Sequence, residues 1–535
     1  MSTNVAVEFL IWMLIAASAI AVVANRLRIP YTVALVVGGL VLGSFHLPLV
    51  DNIIRREPSW LTPNVSLVIF LPPLLFEGSL RIQLRHLREN LLPILLFANV
   101  GVLAATAVTG FAVHWVGGFP ILVGLVFGAV ISATDPISVL ALFKDMHVAK
   151  RLSILVEAES LLNDGTSSVL YGILVGATLT GSLNVATGVR DFFVEVLGGA
   201  AVGLCFGYAV SKLTGRIDAP EIEITLTTIL AYGSFLVAQS LHLSGVIATV
   251  VAGLMIGNFA MPQGMSPQSR VSLRSFWDYA SFVMNSLVFL VIGLEVHFDD
   301  LLRSWRLVLL AAGAALLGRA LSVYGLTPFS NFFTEKISYR WQHVMAWGGI
   351  RGALSLALAL SLDGSFPFRS RVLAATFGVV AFSIIVQGLT LKPLLGLLGM
   401  GKTGEDDYRL SRARHLAVTS ALTELNSMLE HELISRPIYE ELRRGLDQRA
   451  GEIEARMAER YAKDESRAGD ERRLANARLA AADELRLANA RLVAAEKSSI
   501  EKTLSDGLIS AQAAAKLMQE TDHRLDQLTS PAPRK

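Results

Sequence analysis

The sequence predicts an all-α polytopic membrane protein with about 13 transmembrane helices in two inverted repeats, two of the helices being broken and crossing each other, plus a helical cytoplasmic C-terminal domain. Three observations predict this class. Hydrophobic residues form 53% of the 535-residue chain, far more than in a soluble globular protein. They cluster into windows long enough to cross a bilayer. Half of all charged side chains lie in residues 403–535, so we expect a membrane domain over 1–402 and a separate tail over 403–535.

Thirteen windows satisfy the span criterion of about 20 apolar residues. The first window has no basic segment before it, so we expect a permanent helix rather than a cleaved signal. The predicted spans are residues 5–24, 30–46, 64–80, 91–113, 119–143, 152–178, 191–211, 223–241, 244–260, 275–296, 307–328, 342–361 and 372–399.

The loops between the spans predict the orientation of the chain. Lysine and arginine concentrate on the cytoplasmic side of membrane proteins. The loops after odd-numbered spans carry fourteen of these residues, whereas the other loops carry seven. We therefore expect a multi-pass protein of a bacterial-type inner membrane, with the N-terminus outside and the C-terminus in the cytoplasm.

Spans 5 and 12 contain sequence that a straight helix avoids. Residues 133–136 read Ala-Thr-Asp-Pro, and proline disfavours helix both at its own position and at the preceding residue. Residues 347–352 read Trp-Gly-Gly-Ile-Arg-Gly. If spans 1–6 and 8–13 are the two repeats, these interruptions occupy corresponding positions, which is typical of a transporter with a binding site near the bilayer midplane.

Span 6 carries three carboxylates within eight residues of otherwise apolar sequence. At helical spacing Glu157, Ser160 and Asp164 form one stripe, whereas Glu159 and Asn163 lie on an adjacent one. Carboxylate and hydroxyl oxygens are the ligands that hard cations prefer. This pattern indicates a cation site.

Asp164 is the candidate exchange residue, and Thr134 and Asp135 from the broken span 5 would complete a partial cage around its cation. An anionic aspartate buried without a partner is costly, so near neutral pH it would hold either a proton or a cation. Exposing it to each side in turn would exchange the two. The structural alternative is that these acids pair with Arg319 or Arg351 to hold helices together.

Several charged residues keep two interpretations. Glu159 is a candidate partner of Arg351, and Glu157 a candidate residue of the cytoplasmic mouth. Asp135 and Arg351 would also offset the dipole ends of the broken helices. Glu77, beside a Pro-Pro pair in span 3, is either a ligand reaching the cation from the opposite bundle or a buried partner.

Four segments resemble the signatures of the monovalent cation/proton antiporter family of NhaP type, which includes the animal sodium/proton exchangers. They are LPPLLFEGS, SATDP, EAESLLNDG and WGGIRGALSLALAL, and the likeness covers roughly residues 5–400. The resemblance implies a homodimeric Na⁺/H⁺ antiporter. Spans 1–3 and 7–10 would form the dimer scaffold, and spans 4–6 and 11–13 a moving ion-binding core.

The resemblance also implies residue roles. The ion-binding aspartate of the family falls on Asp164 and the asparagine before it on Asn163. Supporting ligands fall on Thr134, Ser160 and Glu77. Relatives with an Asn-Asp pair exchange one cation for one proton, so the resemblance implies electroneutral exchange.

The stabilising glutamate and arginine of the family fall on Glu159 and Arg351. No cofactor is expected beyond the transported Na⁺ and H⁺.

The tail is rich in Ala, Leu, Glu and Arg, and a 13-residue near-repeat starts at residues 473 and 486. This composition favours a dimerising or regulatory helical domain, with a plain solvated helix as the alternative. The segment GLLGMGKT (396–403) matches the phosphate-loop pattern, but it leaves a membrane span instead of a strand, so no nucleotide site is expected. A net charge of +2 gives no reason to expect nucleic acid as a partner.

Three functional alternatives remain open at this stage. The same mechanism would serve K⁺/H⁺ or Li⁺/H⁺ exchange. A gated cation channel would also use buried acids, although broken helices around a single carboxylate favour alternating access. The membrane part would otherwise be a sensor that signals through the tail.

Overall fold

The computed structural model describes residues 3–27, 30–44, 63–146, 148–217, 219–295, 304–400, 418–430 and 435–465. The chain divides into two compact units, Met1–Thr403 and Gly404–Lys535. Most of the predicted tail domain, including the near-repeat, lies outside the described residues.

The described residues form helices and no strand. Each of the thirteen predicted apolar windows coincides with a helix or with two helical halves. In chain order the helices are α1 (Thr3–Leu27), α2 (Tyr31–Ser44), α3 (Pro63–Arg81), α4 (Leu84–Glu89), α5 (Leu91–Trp115), α6 (Ile121–Ser132), α7 (Ile137–Asp145), α8 (Lys150–Thr180), α9 (Val185–Thr214), α10 (Pro220–Ser240), α11 (Gly245–Ala260), α12 (Pro267–Glu295), α13 (Trp305–Phe333), α14 (Tyr339–Trp347), α15 (Ala353–Leu360), α16 (Arg369–Leu397), α17 (418–430) and α18 (Arg436–Glu465).

Six stretches of the described chain are long and apolar enough to cross a membrane. They are α5, α6 together with α7, α9, α10, α13 and α16. Shorter apolar stretches lie in α1, α2 and α11. The phosphate-loop-like segment begins at the end of α16, a helix, and so lacks the preceding strand that a nucleotide loop needs.

The two interruptions predicted from the sequence are present, and they meet. Helix α6 ends at Ser132, where Ala133 turns to extended backbone, and α14 ends at Trp347. The backbone N–H of Asp135 donates to the carbonyl of Ile350 at 2.7 Å, which joins the two breaks. A Cβ at Gly352 would lie 2.4 Å from Cβ of Asp135, so only glycine fits at this crossing.

Packing sorts most of the helices of the membrane domain into two groups. In the first group, α5–α8 and α13–α16, α5 packs on α6 and α13, and α8 packs on α6. In the second group, α1–α3 and α9–α12, α2 packs on α12, and α11 packs on α3 and α9. Close approach of α9 and α11 depends on Gly203, because a Cβ there would lie 2.2 Å from the carbonyl oxygen of Ala248.

Candidate ion-binding site

A cavity of about 370 Å³ lies between the two helix groups. Its walls come from α2, α3 and α12 on one side and from the α6–α7 break, α8 and α15 on the other. Apolar side chains form most of the lining, and five carboxylates interrupt it. These are Glu77, Asp135, Glu157, Asp164 and Asp278.

Asp164 lies in the middle of α8, is partly buried and faces this cavity. Within the described residues no hydrogen bond or ion pair reaches its carboxylate. Helix α8 places it there because Glu157, Leu161 and Asp164, at spacings of four and three, share one face. A partly buried carboxylate without a protein partner is available to a proton or a cation.

A hydrogen-bond network behind Asp164 attaches the unwound part of the α6–α7 break to α8. The Asn163 amide is fully buried. Its Nδ2 donates to Oγ1 of Thr134 at 2.7 Å and to Oε1 of Glu159 at 2.9 Å, and its Oδ1 accepts from the backbone N–H of Thr134 at 3.3 Å. Oγ1 of Thr134 also lies 2.8 Å from Oγ of Ser160. The structure thus brings together Thr134, Ser160 and Asn163; of these, Thr134 lines the cavity.

Glu159 has a different partner from the one that the family resemblance implied. Arg319 of α13 binds both its carboxylate oxygens, from Nη1 to Oε1 and from Nη2 to Oε2, each at 2.8 Å. The pair is buried, with Glu159 only 1% exposed. Helix α5 packs on both α8 and α13 and so brings Arg319 to Glu159. Of the two arginines considered from the sequence, the structure pairs Arg319 with Glu159, and the expected Glu159–Arg351 pair is not present among the described residues.

Arg351 is buried in the α14–α15 break, and among the described residues its Nη1 has no hydrogen-bond partner. Its backbone N–H donates to Oγ of Ser383 at 3.0 Å. At the C-terminal end of α14, it is Nε of Arg319 that donates to a carbonyl, that of Met345, at 3.2 Å. Arg319 thus places a cation at the C-terminal end of α14, which is a stabilising arrangement. The dipole-compensating role of Arg351 stays a prediction.

Asp135 lies at the N-terminus of α7. Its Oδ1 accepts from the backbone N–H of Ile137 at 2.9 Å, and it also lines the cavity. A carboxylate at a helix N-terminus is the favourable arrangement for the helix dipole. Both interpretations of Asp135, in dipole compensation and at the cation site, agree with this position.

Glu77 reaches the cavity from α3, in the opposite helix group to Asp164. It forms an ion pair with Arg81 one turn further along α3. Both interpretations of Glu77, as ligand and as paired acid, therefore have a structural basis. Glu157 lies on the same cavity wall as Asp164, two turns nearer the start of α8.

Some residues of the site were missed by the sequence reasoning. Gln387, in a π-helical segment of α16, donates to the carbonyl of Trp347 at 2.6 Å and so satisfies the broken backbone, as Ser383 does one turn earlier. Polar residues four apart in an apolar span were the available signal. Nothing in the local pattern marked Arg81 and Asp278 as neighbours, because they are 197 residues apart.

The chain is similar in sequence to proteins named as sodium/proton antiporters. It is 38% identical over 443 residues to the Na(+)/H(+) antiporter NhaG of Bacillus atrophaeus, covering 81% of this chain and 84% of NhaG. It is 39% identical over 405 residues to the Na(+)/H(+) antiporter ApNhaP of Aphanothece halophytica, covering 75% and 76%.

The fold has a solved counterpart in the sodium proton antiporter MjNhaP1 from Methanocaldococcus jannaschii. The TM-score is 0.62 at 22% identity, over 75% of this chain and all of that one. The relatives are named as antiporters, which are transporters and not enzymes. The family model of the transmembrane sodium/hydrogen exchanger matches residues 13–396. Since this match spans most of the chain, the protein belongs to the sodium/hydrogen exchanger family.

Proposed function

We propose that this protein is a secondary antiporter that exchanges Na⁺ for H⁺ across a membrane by alternating access. One observation carries the proposal: the carboxylate of Asp164 faces a cavity between two helix groups and has no partner within the described residues. A charge in that position is neutralised by one occupant at a time, either a proton or a cation. Membership of the sodium/hydrogen exchanger family supports the choice of ions.

The cation would be held by oxygen atoms from both helix groups. Asp164, Thr134 and Ser160 supply them from the first group, and Glu77 from the second. Oxygen ligands suit a hard cation such as Na⁺. Asn163 positions Thr134 through the two hydrogen bonds between them, and Asp135 adds negative charge at the same wall.

Exchange would proceed by movement of the first helix group against the second. The division supports this, because the cavity follows the boundary between the groups and the two broken helices cross within the first. The thirteen helices would span the membrane as two inverted repeats related through the breaks at 133–136 and 348–352. The second group would form the scaffold of a homodimer.

The orientation of the cavity follows from the loop charges. Arg81 and Lys144 line it, and both belong to the loop set that is richer in lysine and arginine. With those loops in the cytoplasm of a bacterial-type cell, the cavity opens inward and the N-terminus lies outside.

Exchange would be electroneutral, with one cation exchanged for one proton. The supporting feature is Asn163, whose neutral amide occupies the position beside Asp164 and bonds to Thr134 and Glu159. Asp164 is then the carboxylate that changes occupant, because Glu159 is held by Arg319.

Vesicles with an acidic interior and a pH-sensitive dye test the function. Adding Na⁺ outside should dequench the dye with the intact protein and leave it quenched with Asp164→Asn. Parallel additions of K⁺ and Li⁺ rank the cations. Equal dequenching by the Asp164→Asn protein would contradict the proposal, and single-channel current steps in a planar bilayer would identify a channel instead.

A further inference from the structure

Arg81 occupies the mouth of the cavity between two carboxylates. It is the last residue of α3, and its guanidinium contacts Glu77 one turn back on the same helix. Its Nη2 also donates to Oδ1 of Asp278 on α12 at 2.9 Å. The side chain of Arg81 is 59% exposed, whereas that of Glu77 is 14% exposed. A largely solvated cation thus pairs with a carboxylate that is mostly enclosed.

Glu77 and Asp164 line the same cavity, but their charges are balanced differently. Arg81 neutralises Glu77, whereas Asp164 has no such partner within the described chain. A transported cation that uses Glu77 as a ligand must therefore displace the guanidinium. Displacement is inexpensive for the arginine, because 59% of its side chain is exposed and its charge remains solvated. A fully exposed ion pair contributes about 0.2–1 kcal/mol, which is a lower bound here because Glu77 is mostly enclosed.

We infer that Arg81 is a tethered competitor of the transported cation for the carboxylate of Glu77. Arg81 pairs with both Glu77 and Asp278 while the cavity is empty, and it keeps only Asp278 when a cation takes Glu77. Because Asp278 remains bonded to the guanidinium, the positive charge of Arg81 keeps a counterion after Glu77 is released. This inference rests on the proposed exchange function and assigns to Arg81 control of the apparent cation affinity, not of the exchange step.

The first test is Arg81→Gln, assayed for Na⁺-driven exchange in vesicles at alkaline pH, where protons compete least. The KM for Na⁺ should fall by at least about 1.4- to fivefold, which is the exposed ion-pair free energy converted to a ratio, with the maximal rate unchanged. Arg81→Lys, which keeps the charge, should retain most of the original KM.

Arg85→Gln is the matched control. Arg85 lies four residues after Arg81 on the next helix, α4; it pairs with Glu89 at 3.2 Å and is not part of the cavity wall. Its removal deletes the same charge on the same side of the protein and should leave the KM unchanged. Equal falls in both variants would indicate general surface electrostatics and overturn the inference.

A chemical version of the test uses a single folded protein throughout. The sequence has one cysteine, Cys205, on α9. In a Cys205→Ala background, Arg81→Cys can be labelled with a cationic or a neutral thiol reagent of similar size. The cationic label should raise the KM for Na⁺ relative to the neutral label, and Arg85→Cys should show no such difference.

An unchanged KM between the two labels at position 81 overturns the inference. That result leaves the proposed function intact if the unlabelled protein still exchanges Na⁺ for H⁺ and Asp164→Asn does not. Absence of exchange in the unsubstituted protein would instead reject the proposed function itself.

Discussion

Glu159 and Asp164 lie five residues apart on α8, and their surroundings are opposite. Both oxygens of Glu159 are bonded to Arg319 in a buried pair. Asp164 opens onto the cavity and is unpaired among the described residues. Helix α8 thus carries one carboxylate that is bonded to another protein side chain and a second that is available to bind a proton or a cation.

The difference shows why intramembrane acids near each other need not share a role. Removing one partner from a buried ion pair costs about 3–5 kcal/mol, so a paired acid is a poor exchange site. An unpaired acid has already lost solvation and gains from binding a proton or a cation. The contrast predicts that substitutions at the two positions affect different measurements.

The largest expected effect is on transport by Asp164→Asn. Exchange should fall by about 100-fold or more, because the amide cannot hold a proton and a cation alternately. Thermal stability in detergent should be equal or higher, because the substitution removes an uncompensated charge. Paired transport assays and melting curves check both parts, and a variant that loses exchange by unfolding would contradict the comparison.

Glu159→Gln should show the reverse behaviour. The free energy of unfolding should fall by about 3–5 kcal/mol, because Arg319 keeps a buried charge without its counterion. Heating the detergent-solubilised protein and measuring the remaining monodisperse fraction gives the result. Replacing both Glu159 and Arg319 with methionine should recover much of the stability; failure to do so would mean that the pair is not the cause.

A smaller effect is expected from Thr134→Val. The hydroxyl connects Asn163 and Ser160, and its loss leaves buried polar groups unpaired at about 1–3 kcal/mol. The KM for Na⁺ should rise about five- to hundredfold. Thr166→Val is the control, because that hydroxyl donates to Asn99 at 3.0 Å, outside the cavity lining. Equal changes in both variants would remove Thr134 from the site.

The smallest expected effect is that of membrane potential. If Asp164 is the sole carboxylate that exchanges its occupant, one positive charge crosses in each direction, so an imposed potential should not shift the exchange equilibrium. Vesicles with a potassium diffusion potential set by valinomycin provide the measurement, with external Na⁺ titrated at fixed pH. A shift of the equilibrium with potential would mean that a second acid takes part.

Much of this molecule could be predicted from local sequence. The thirteen apolar windows coincide with helical segments of the described chain, because a single apolar stretch satisfies its own backbone hydrogen bonds only by forming a helix. Pro136 disfavours helix because its ring fixes φ and removes the N–H donor, whereas the glycines at 348, 349 and 352 disfavour it because of their conformational freedom, so both breaks could be located. Likewise, helical spacing alone placed Glu157 and Asp164 on one face of α8.

Only the tertiary structure decided which charges meet. Arg319 binds Glu159 across a sequence separation of 160 residues, and Arg81 binds Asp278 across 197. An ion pair depends on the distance between side chains on different helices, which is determined here by the packing of α8 and α13 on α5 and of α12 on α3. Local sequence specifies where a helix runs and where it breaks, but the identity of a charge's partner depends on how the whole bundle packs.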